Sequence, residues 1–438
     1  MLDGVYLQGN CVRVLLLAEA CNPEWVSVPL VGWSHAQAIG RVVHTHLVTQ
    51  VRNRDAIKRA GLVEGRDFTV IDTEVIARRA YQLAGLLGAK GKSWTLMTGL
   101  MSLAYPYYEQ LVWKQFGKRI RAGEFDIVHR LTPVSPVQPS LLAKRCADAG
   151  VPFVLGPLNG GLAWPPGFEA ARAREGERIS ILRDLYRLMP GYYATRRHAA
   201  GILIASKNTL SQQPRGYREK CVYIPENAIE PGRFTARRTR TAQIPVRAVF
   251  VGRLVPYKGA DMLIEAAAPL VRDGKLLLDI VGDGPDMPVL RERVKRLGVE
   301  NGVTLSGWVD HAKVQDRLIE ADLFAFPSIR EFGGGAVLEA MAVGLAPMIV
   351  DYGGPAELVT PETAFVLPLG TPAELVQQIR QQLQRIVADP KQLDLKGAAA
   401  LERAHSIYTW DYKARRVVDT YCWLLNRHLP RPAFEPAA

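Results

Sequence analysis

The sequence predicts an α/β protein made of two doubly wound domains in tandem. Three observations carry that expectation. Short apolar runs alternate with longer segments of helical periodicity, which is how buried parallel strands joined through helices read in a sequence. The alternation stops at residues 231–245, PGRFTARRTRTAQIP, an arginine-rich stretch with two prolines and little apolar content, and then starts again. The length of 438 residues suits two or three domains.

In the first half the strand-like runs are VRVLLLA (12–18), VVHTHLV (42–48), FTVI (68–71), FDIVH (125–129), VPFVLG (151–156) and GILIAS (201–206). After the break come VRAVFVG (246–252), KLLLDIVG (275–282), VTLSG (303–307), LFAFPS (323–328), PMIV (347–350) and FVLP (365–368). The last long segment, YTWDYKARRVVDTYCWLLNRHL, has the pattern of an amphipathic helix. The expected domains are 1–235 and 246–405, followed by a C-terminal helix over 406–438. Ligands of doubly wound sheets bind in crevices at the carboxyl ends of the strands, so two facing domains are expected to enclose a central cleft.

Composition narrows the function. Hydrophobic residues make up 48% and charged residues 22%, as in ordinary soluble proteins, which excludes disorder and collagen-like repeats as overall descriptions. The net charge of +12 is uneven: residues 1–240 hold 33 Lys and Arg against 19 Asp and Glu, while the remainder is close to neutral. A basic half calls for an anionic partner, whether nucleic acid, an anionic membrane or a phosphorylated substrate. No recognition motif with interleaved aromatics accompanies it, so nucleic acid is not expected. The five cysteines, Cys11, Cys21, Cys146, Cys221 and Cys422, are odd in number and form no C-x-x-C pair. They read as free thiols in a reducing compartment, with no zinc site.

The run VRVLLLAEAC reads as a buried strand rather than a signal peptide, since Asp3 precedes it and its apolar core is very short. The longest membrane-like stretch, Ser93–Tyr108, falls short of the ~20 residues a spanning helix needs, and Pro106 interrupts it. Segment 94–121 is rich in Trp, Tyr, Leu and Met. Lys90 and Lys92 precede it, and Lys114, Lys118, Arg119 and Arg121 lie in and after its last part. That arrangement suits an interfacial helix on an anionic membrane, or equally a core helix with a solvated basic edge.

The strand-end loops of the second half hold the chemistry. GRLVPYKG places Arg253 and Lys258 at the start of a helix, where two cations, free N–H groups and the helix dipole suit a diphosphate. VGDGPD places Gly282, Asp283 and Gly284 in a tight turn, without the third glycine of a dinucleotide fingerprint. Each pattern alone is also that of solvated cations or of a plain turn. The strongest signal is PSIREFGGGAVLEAMAVG (327–344). Glu331 stands before a helix expected to begin near Ala336, after the flexible loop Gly333–Gly335, and Glu339 stands one turn inside it. Carboxylates accept paired hydrogen bonds from vicinal hydroxyls, and a glycine loop offers N–H groups to phosphate oxygens. Glu339 sits among Val337, Leu338, Ala340 and Met341, where a carboxylate needs a partner.

These pieces, FVGRLVPYKGAD, IVGDGPD, LSGWV and E-x7-E within REFGGGAVLEAMAVG, stand in the order found in the donor domain of retaining glycosyltransferases of family 4, which have the two-domain GT-B fold. Residues 246–370 resemble that domain, and YIPENAIE (223–230) resembles the strand and turn before its linker. The resemblance implies that Arg253 and Lys258 bind the donor diphosphate. It implies that Glu331 contacts the donor sugar and that Glu339 holds the ribose hydroxyls. Phe332, Gly333 and Gly334 would surround the sugar and phosphates, while Trp308 and Val309 would lie beside the base. Where the family often has Glu-Gly-Phe-Gly, this chain has Glu-Phe-Gly-Gly. The C-terminal helix would cross back to the first domain.

In the first half, His129 is expected at a strand end, where it can reach a sugar hydroxyl or serve as a structural cap. Many relatives carry a His there on the acceptor side. Asn159 and Gly160, with Gly161, are expected to line the acceptor site or to form a plain turn. Gly32 is expected in a strand-to-helix loop resembling the family's glycine loop toward the donor phosphates.

The expected activity is hexosyl transfer with retention from a nucleotide-diphosphate sugar to a glycan or lipid-linked acceptor. The setting would be cell-envelope polysaccharide, lipopolysaccharide or glycolipid synthesis. A UDP-sugar is favoured because it is common among relatives. No D-x-D triplet occurs, so no obligatory metal or other cofactor is expected. No carboxylate nucleophile stands out, which favours front-face attack over double displacement. The expected location is cytoplasmic, peripheral on the inner face of the cytoplasmic membrane. The competing readings are a sugar-nucleotide epimerase of related fold and a non-catalytic sugar-nucleotide or membrane-binding scaffold.

Overall fold

Strand burial organises both halves of the chain. The computed structural model describes residues 12–74, 94–175, 190–310 and 313–433, with backbone only for 94–104 and 190. Cys11, Lys90 and Lys92 lie outside the described residues. The chain divides into two units: Met1–Gly161, Ile179–Glu226 and Trp410–Ala438 form the first, and Leu162–Arg178 with Asn227–Thr409 form the second. The first unit is therefore not the continuous run 1–235: a short early segment belongs to the second unit, and the break falls at Glu226.

The strands of the first unit are β1 (Arg13–Ala18), β2 (His44–Gln50), β3 (Phe68–Ile71), β4 (Ile127–Thr132), β5 (Phe153–Leu158), β6 (Gly201–Ile204) and β7 (Cys221–Tyr223). Among the described residues they form one sheet in the order β3-β2-β1-β4-β5-β6-β7, with every pair parallel. The second unit holds β8 (Val246–Val251), β9 (Leu276–Val281), β10 (Val303–Gly307), β11 (Leu323–Phe326), β12 (Ala346–Val350) and β13 (Phe365–Leu367). Its order is β10-β9-β8-β11-β12-β13, again all parallel. Both sheets are doubly wound, with the strand order reversing between β1 and β4 and between β8 and β11. Those are the switch points at which such sheets bind ligands.

The helix Trp94–Arg121 contains Pro106, and its described apolar residues are spent on the sheet. Tyr105, Tyr108, Val112, Phe116 and Ile120 are buried in one cluster with Leu15, Leu17, Val48 and Val128. The core reading of residues 105–120 therefore holds, and this stripe is not presented to a bilayer. The charged edge, Lys114, Lys118, Arg119 and Arg121, is exposed. No described helix is long and apolar enough to cross a membrane.

The C-terminal helix Trp410–Leu425 packs against the helix Val28–Gly40 in the first unit. Its Lys413 is buried, hydrogen-bonds the Glu226 carbonyl and stacks its ammonium over Trp410 at 4.5 Å. Burial pulls Lys413 down to about 7, against the opposing pull of Glu226. Cys21, Cys146, Cys221 and Cys422 are free thiols.

Gly32 lies inside the helix Val28–Gly40, not in the loop before it. Pro29 stands in the helix's first turn, which starts the helix early. A Cβ on Gly32 would stand 2.2 Å from the Ala20 carbonyl oxygen, so this glycine lets the helix close onto the loop after β1.

Candidate functional site

In the second unit the loops leaving β8, β9, β11 and β12 are stitched together by main-chain hydrogen bonds. The Leu254 N–H donates to the Asp283 carbonyl at 2.9 Å, and the Asp286 N–H donates to the Leu254 carbonyl at 3.1 Å. The Ile329 N–H donates to the Tyr257 carbonyl at 2.9 Å, and the Gly354 N–H to the Glu331 carbonyl at 2.9 Å. Gly282 is required for the first of these junctions. Its φ is 142°, and a Cβ there would lie 1.9 Å from the Gly252 carbonyl oxygen. Asp283 closes its own turn by accepting from the Gly284 N–H at 2.7 Å.

This stitching brings Lys258 and Glu331 into an ion pair, Nζ to Oε2. Lys258 ends the short turn Pro256–Lys258, and Glu331 precedes the helix Gly335–Ala342. Both side chains are largely covered, 14% and 19% exposed, so the pair is poorly screened. The Lys258 ammonium also lies 4.9 Å from the centre of the Phe326 ring. Burial, and then the Glu331 carboxylate, hold the Tyr257 hydroxyl above its usual range. Arg253, on the same loop, is exposed and makes no ion pair among the described residues.

The helix after Glu331 begins at Gly335, one residue earlier than the sequence pattern suggests. Gly334 caps it in the left-handed conformation, with φ 62°. Phe332 and Gly333 are half-buried beside Glu331, and Glu339 is half-buried one turn along the helix. Lys258, Glu331, Phe332, Gly333 and Gly334 thus share one stretch of the sheet's carboxyl edge, with Gly282, Asp283 and Gly284 on the adjoining loop. Trp308 follows β10 and is 71% exposed, a high value for so large an apolar ring. It lines a hollow of about 460 Å³ with Val309, Asp310, Lys313, Asp316 and Arg317. Among the described residues no three of His, Cys, Asp and Glu are placed to hold a metal ion.

The first unit treats its candidates differently. His129 is not at a strand end: β4 continues through Arg130, Leu131 and Thr132, and the His129 ring is 0% exposed. Its Nε2 lies 2.7 Å from the Gly156 carbonyl and its Nδ1 2.6 Å from the Tyr421 hydroxyl. A carbonyl can only accept, so Nε2 carries the proton and Nδ1 accepts from Tyr421. Burial lowers His129 to about 3, which keeps the ring neutral. Both ring nitrogens of His129 are thus engaged by groups of the first unit inside its core. Asn159 is also buried. Its side chain donates to Glu226 Oε2 at 2.5 Å, and its N–H donates to the Val134 carbonyl at 2.8 Å. Gly160 accepts from the Thr209 hydroxyl at 3.2 Å.

Residues that pattern reading missed also meet these loops. Within the second unit the Arg330 guanidinium lies against the rings of Trp164 and Phe332, Trp164 meets Tyr257, and the Tyr352 hydroxyl donates to the Ala163 carbonyl. The visible signal is AWPPGF (163–168), a proline-rich turn motif holding a large aromatic, which follows GPLNGG after the single residue Leu162.

The fold is that of the GT-B glycosyltransferases: two Rossmann-like doubly wound domains. A glycosyltransferase structure from Rickettsia africae superposes with a TM-score of 0.62 at 14% identity, covering 95% of this chain and 99% of that one. The structure of Anabaena Alr3699/HepE, solved with UDP and glucose, gives 0.59 at 18% identity, covering 94% of this chain and 99% of that one. Residues 245–385 match the family described as Glycosyl transferases group 1. Among curated proteins, the 2-deoxystreptamine N-acetyl-D-glucosaminyltransferase of Niallia circulans is 32% identical over 27% of this chain and 31% of its own length. The chain spans between about a third and three fifths of the curated relatives it matches. It therefore carries the group 1 glycosyltransferase resemblance, through its second unit.

Proposed function

We propose that the protein is a retaining glycosyltransferase that moves a hexosyl residue from a nucleotide-diphosphate sugar, UDP-sugars being favoured, to a glycan or lipid-linked acceptor. The product would belong to cell-envelope polysaccharide, lipopolysaccharide or glycolipid synthesis. The observation that carries this reading is the Lys258–Glu331 pair on the stitched loops at the switch point, inside the segment that matches the glycosyltransferase family. The relative solved with UDP and glucose supports a uridine donor.

In this reading Lys258 and Arg253 neutralise the charge that develops on the leaving diphosphate. Glu331 accepts hydrogen bonds from the donor sugar, and Glu339 from the ribose. The glycine loop and the start of the helix Gly335–Ala342 offer N–H groups to phosphate oxygens. The bond from the anomeric carbon to the diphosphate oxygen breaks, and the bond to the acceptor oxygen forms on the same face. The acceptor's proton passes to the departing phosphate oxygen, so no carboxylate nucleophile or metal is required.

The test is thermal stability against UDP, GDP, ADP and CDP, followed by transfer from the matching sugar nucleotide. A ligand bound only by the native state at 100 times its Kd stabilises by about 2.7 kcal/mol. One diphosphate should raise the midpoint, and Glu339→Ala should weaken that binding at least about tenfold, the loss of one charged hydrogen-bond partner. No shift with any nucleotide and no transfer would remove the donor-site assignment.

We further propose that the enzyme works at the inner face of the cytoplasmic membrane, held by the exposed edge carrying Lys114, Lys118 and Arg121. Co-sedimentation with phosphatidylglycerol vesicles should exceed that with phosphatidylcholine vesicles and fall with salt. Equal binding to both, or none, would remove the membrane from the account.

A further inference from the structure

Residues Leu162–Arg174 precede the family-matching segment by about 70 positions, yet they pack on the loops that carry Lys258 and Glu331. The Leu162 carbonyl accepts from Arg330 Nε at 3.2 Å. The next carbonyl, Ala163, accepts from the Tyr352 hydroxyl at 2.9 Å. Trp164 meets Tyr257 edge-on, with ring centres 6.1 Å apart. The Arg330 guanidinium lies 5.2 Å from the centre of the Trp164 ring and 5.6 Å from that of Phe332. Farther along, Arg174 stands 3.6 Å from Asp261 and 3.7 Å from Asp286, which tethers the end of the segment to the helices after β8 and β9. Leu162, Pro165 and Phe168 are buried, so the segment is docked by apolar contact as well as by its carbonyls.

The consequence concerns Glu331. Its neighbours on both sides, Arg330 and Phe332, are fixed through Trp164, and Tyr257, beside its partner Lys258, touches the same ring. A carboxylate that selects among sugar hydroxyls must be held within a fraction of an ångström, and loop residues achieve that only through such supporting contacts. Arg330 is well suited to this, because a guanidinium can stack on two rings and still donate from its edge.

We propose that Leu162–Arg174 is part of the donor-sugar site, with Trp164 and Arg330 acting as positioning residues that orient Glu331 toward the hexose of the nucleotide sugar. This rests on the reading of Glu331 as the sugar-contacting carboxylate. Nucleotide binding is assigned to other groups, Glu339 and the phosphate-facing loop. Trp164 therefore affects the affinity for the sugar nucleotide more than the affinity for the bare nucleoside diphosphate.

The experiment is calorimetric titration of the full chain with UDP-glucose, UDP-N-acetylglucosamine, UDP-galactose and GDP-mannose, and with UDP and GDP. The tightest sugar nucleotide is then carried into Trp164→Ala, Trp164→Phe, Arg330→Ala and Glu331→Gln. Trp164→Ala and Arg330→Ala should each weaken sugar-nucleotide binding about tenfold, one lost supporting contact, with the parent diphosphate within about twofold. Trp164→Phe, which keeps a ring for Arg330 to stack on, should recover most of the loss. Equal weakening of both ligands, or none, in a folded Trp164→Ala would overturn the proposal while Glu331→Gln still discriminates. If Trp164→Ala does not fold, Arg330→Ala decides by the same comparison. If Glu331→Gln itself leaves sugar-nucleotide binding unchanged, or no sugar nucleotide binds the wild type, the reading of Glu331 fails first and the proposal falls with it.

Discussion

Arg253→Ala lowers turnover by about two to three orders of magnitude, the loss expected for one group that stabilises developing charge. It leaves the thermal midpoint close to that of the wild type, because the Arg253 side chain is exposed and has no ion-pair partner among the described residues. Lys258→Ala lowers turnover to a similar degree and also destabilises. It strips a largely covered carboxylate of its cation, at a cost of about 1–3 kcal/mol. The contrast separates chemistry from structure. Steady-state rates and thermal midpoints of the two variants decide it, with Lys258→Ala/Glu331→Gln as a control that removes the stranded charge. The double variant should regain stability and stay inactive. Wild-type turnover in Arg253→Ala, or recovered turnover in the double variant, would show that these cations do not meet the diphosphate.

A second large effect is acid destabilisation through the buried histidines. His129 falls from 6.5 in the unfolded chain to about 3 in the folded one. Its neighbour His35, with ring centres 6.3 Å apart, is also held well below its usual range, by burial first and then by Lys413 and His129. A base whose folded value is depressed binds its proton more readily when unfolded. Its contribution is therefore complete above about pH 6.5 and is lost progressively as the pH falls toward 3. For His129 alone the loss is on the order of 5 kcal/mol across that window. Denaturant midpoints measured between pH 7 and pH 3 should fall steeply in the wild type. His129→Gln should start lower, since Tyr421 and the Gly156 carbonyl lose good partners, and should decline less on acidification. Parallel pH profiles for the two proteins would mean that the histidine is not neutral in the core.

The same histidine shows where sequence reading stops. In FDIVH the apolar pair Ile127–Val128 gives way to His129 and then Arg130, so the strand reads as ending there. It continues because Arg130 can also be buried: its guanidinium donates to the Gln138 carbonyl at 2.9 Å and lies over the Tyr105 ring. Those partners are distributed along the chain, and no local pattern announces them. β7, only three residues long at the sheet edge, likewise lacks a run long enough to stand out. By contrast VRAVFVG and KLLLDIVG map closely onto β8 and β9, because largely buried parallel strands read as mostly apolar runs, here interrupted only by Arg247 and Asp279 within the strands. Gly32 reads as a turn residue because it follows a strand, whereas its actual demand is the close approach of the Ala20 carbonyl to the helix.

Hydrophobic period, turn chemistry and motif spacing are local properties, and they are enough to specify the class of fold, while the division into units depends on packing that returns Trp410–Ala438 to the first unit and Leu162–Arg178 to the second. They also mark the loops that carry Arg253, Lys258, Gly282, Glu331 and Glu339. Three-dimensional packing was needed to pair Lys258 with Glu331, to seal His129 in the core, and to set Trp164 beside Arg330 in the second unit. Those outcomes depend on burial and on partners brought together by sheet order, across 73, 292 and 168 residues of chain in the Lys258–Glu331, His129–Tyr421 and Leu162–Arg330 contacts. Electrostatics and hydrogen bonding act through space, and the spacing of residues along the chain does not record them.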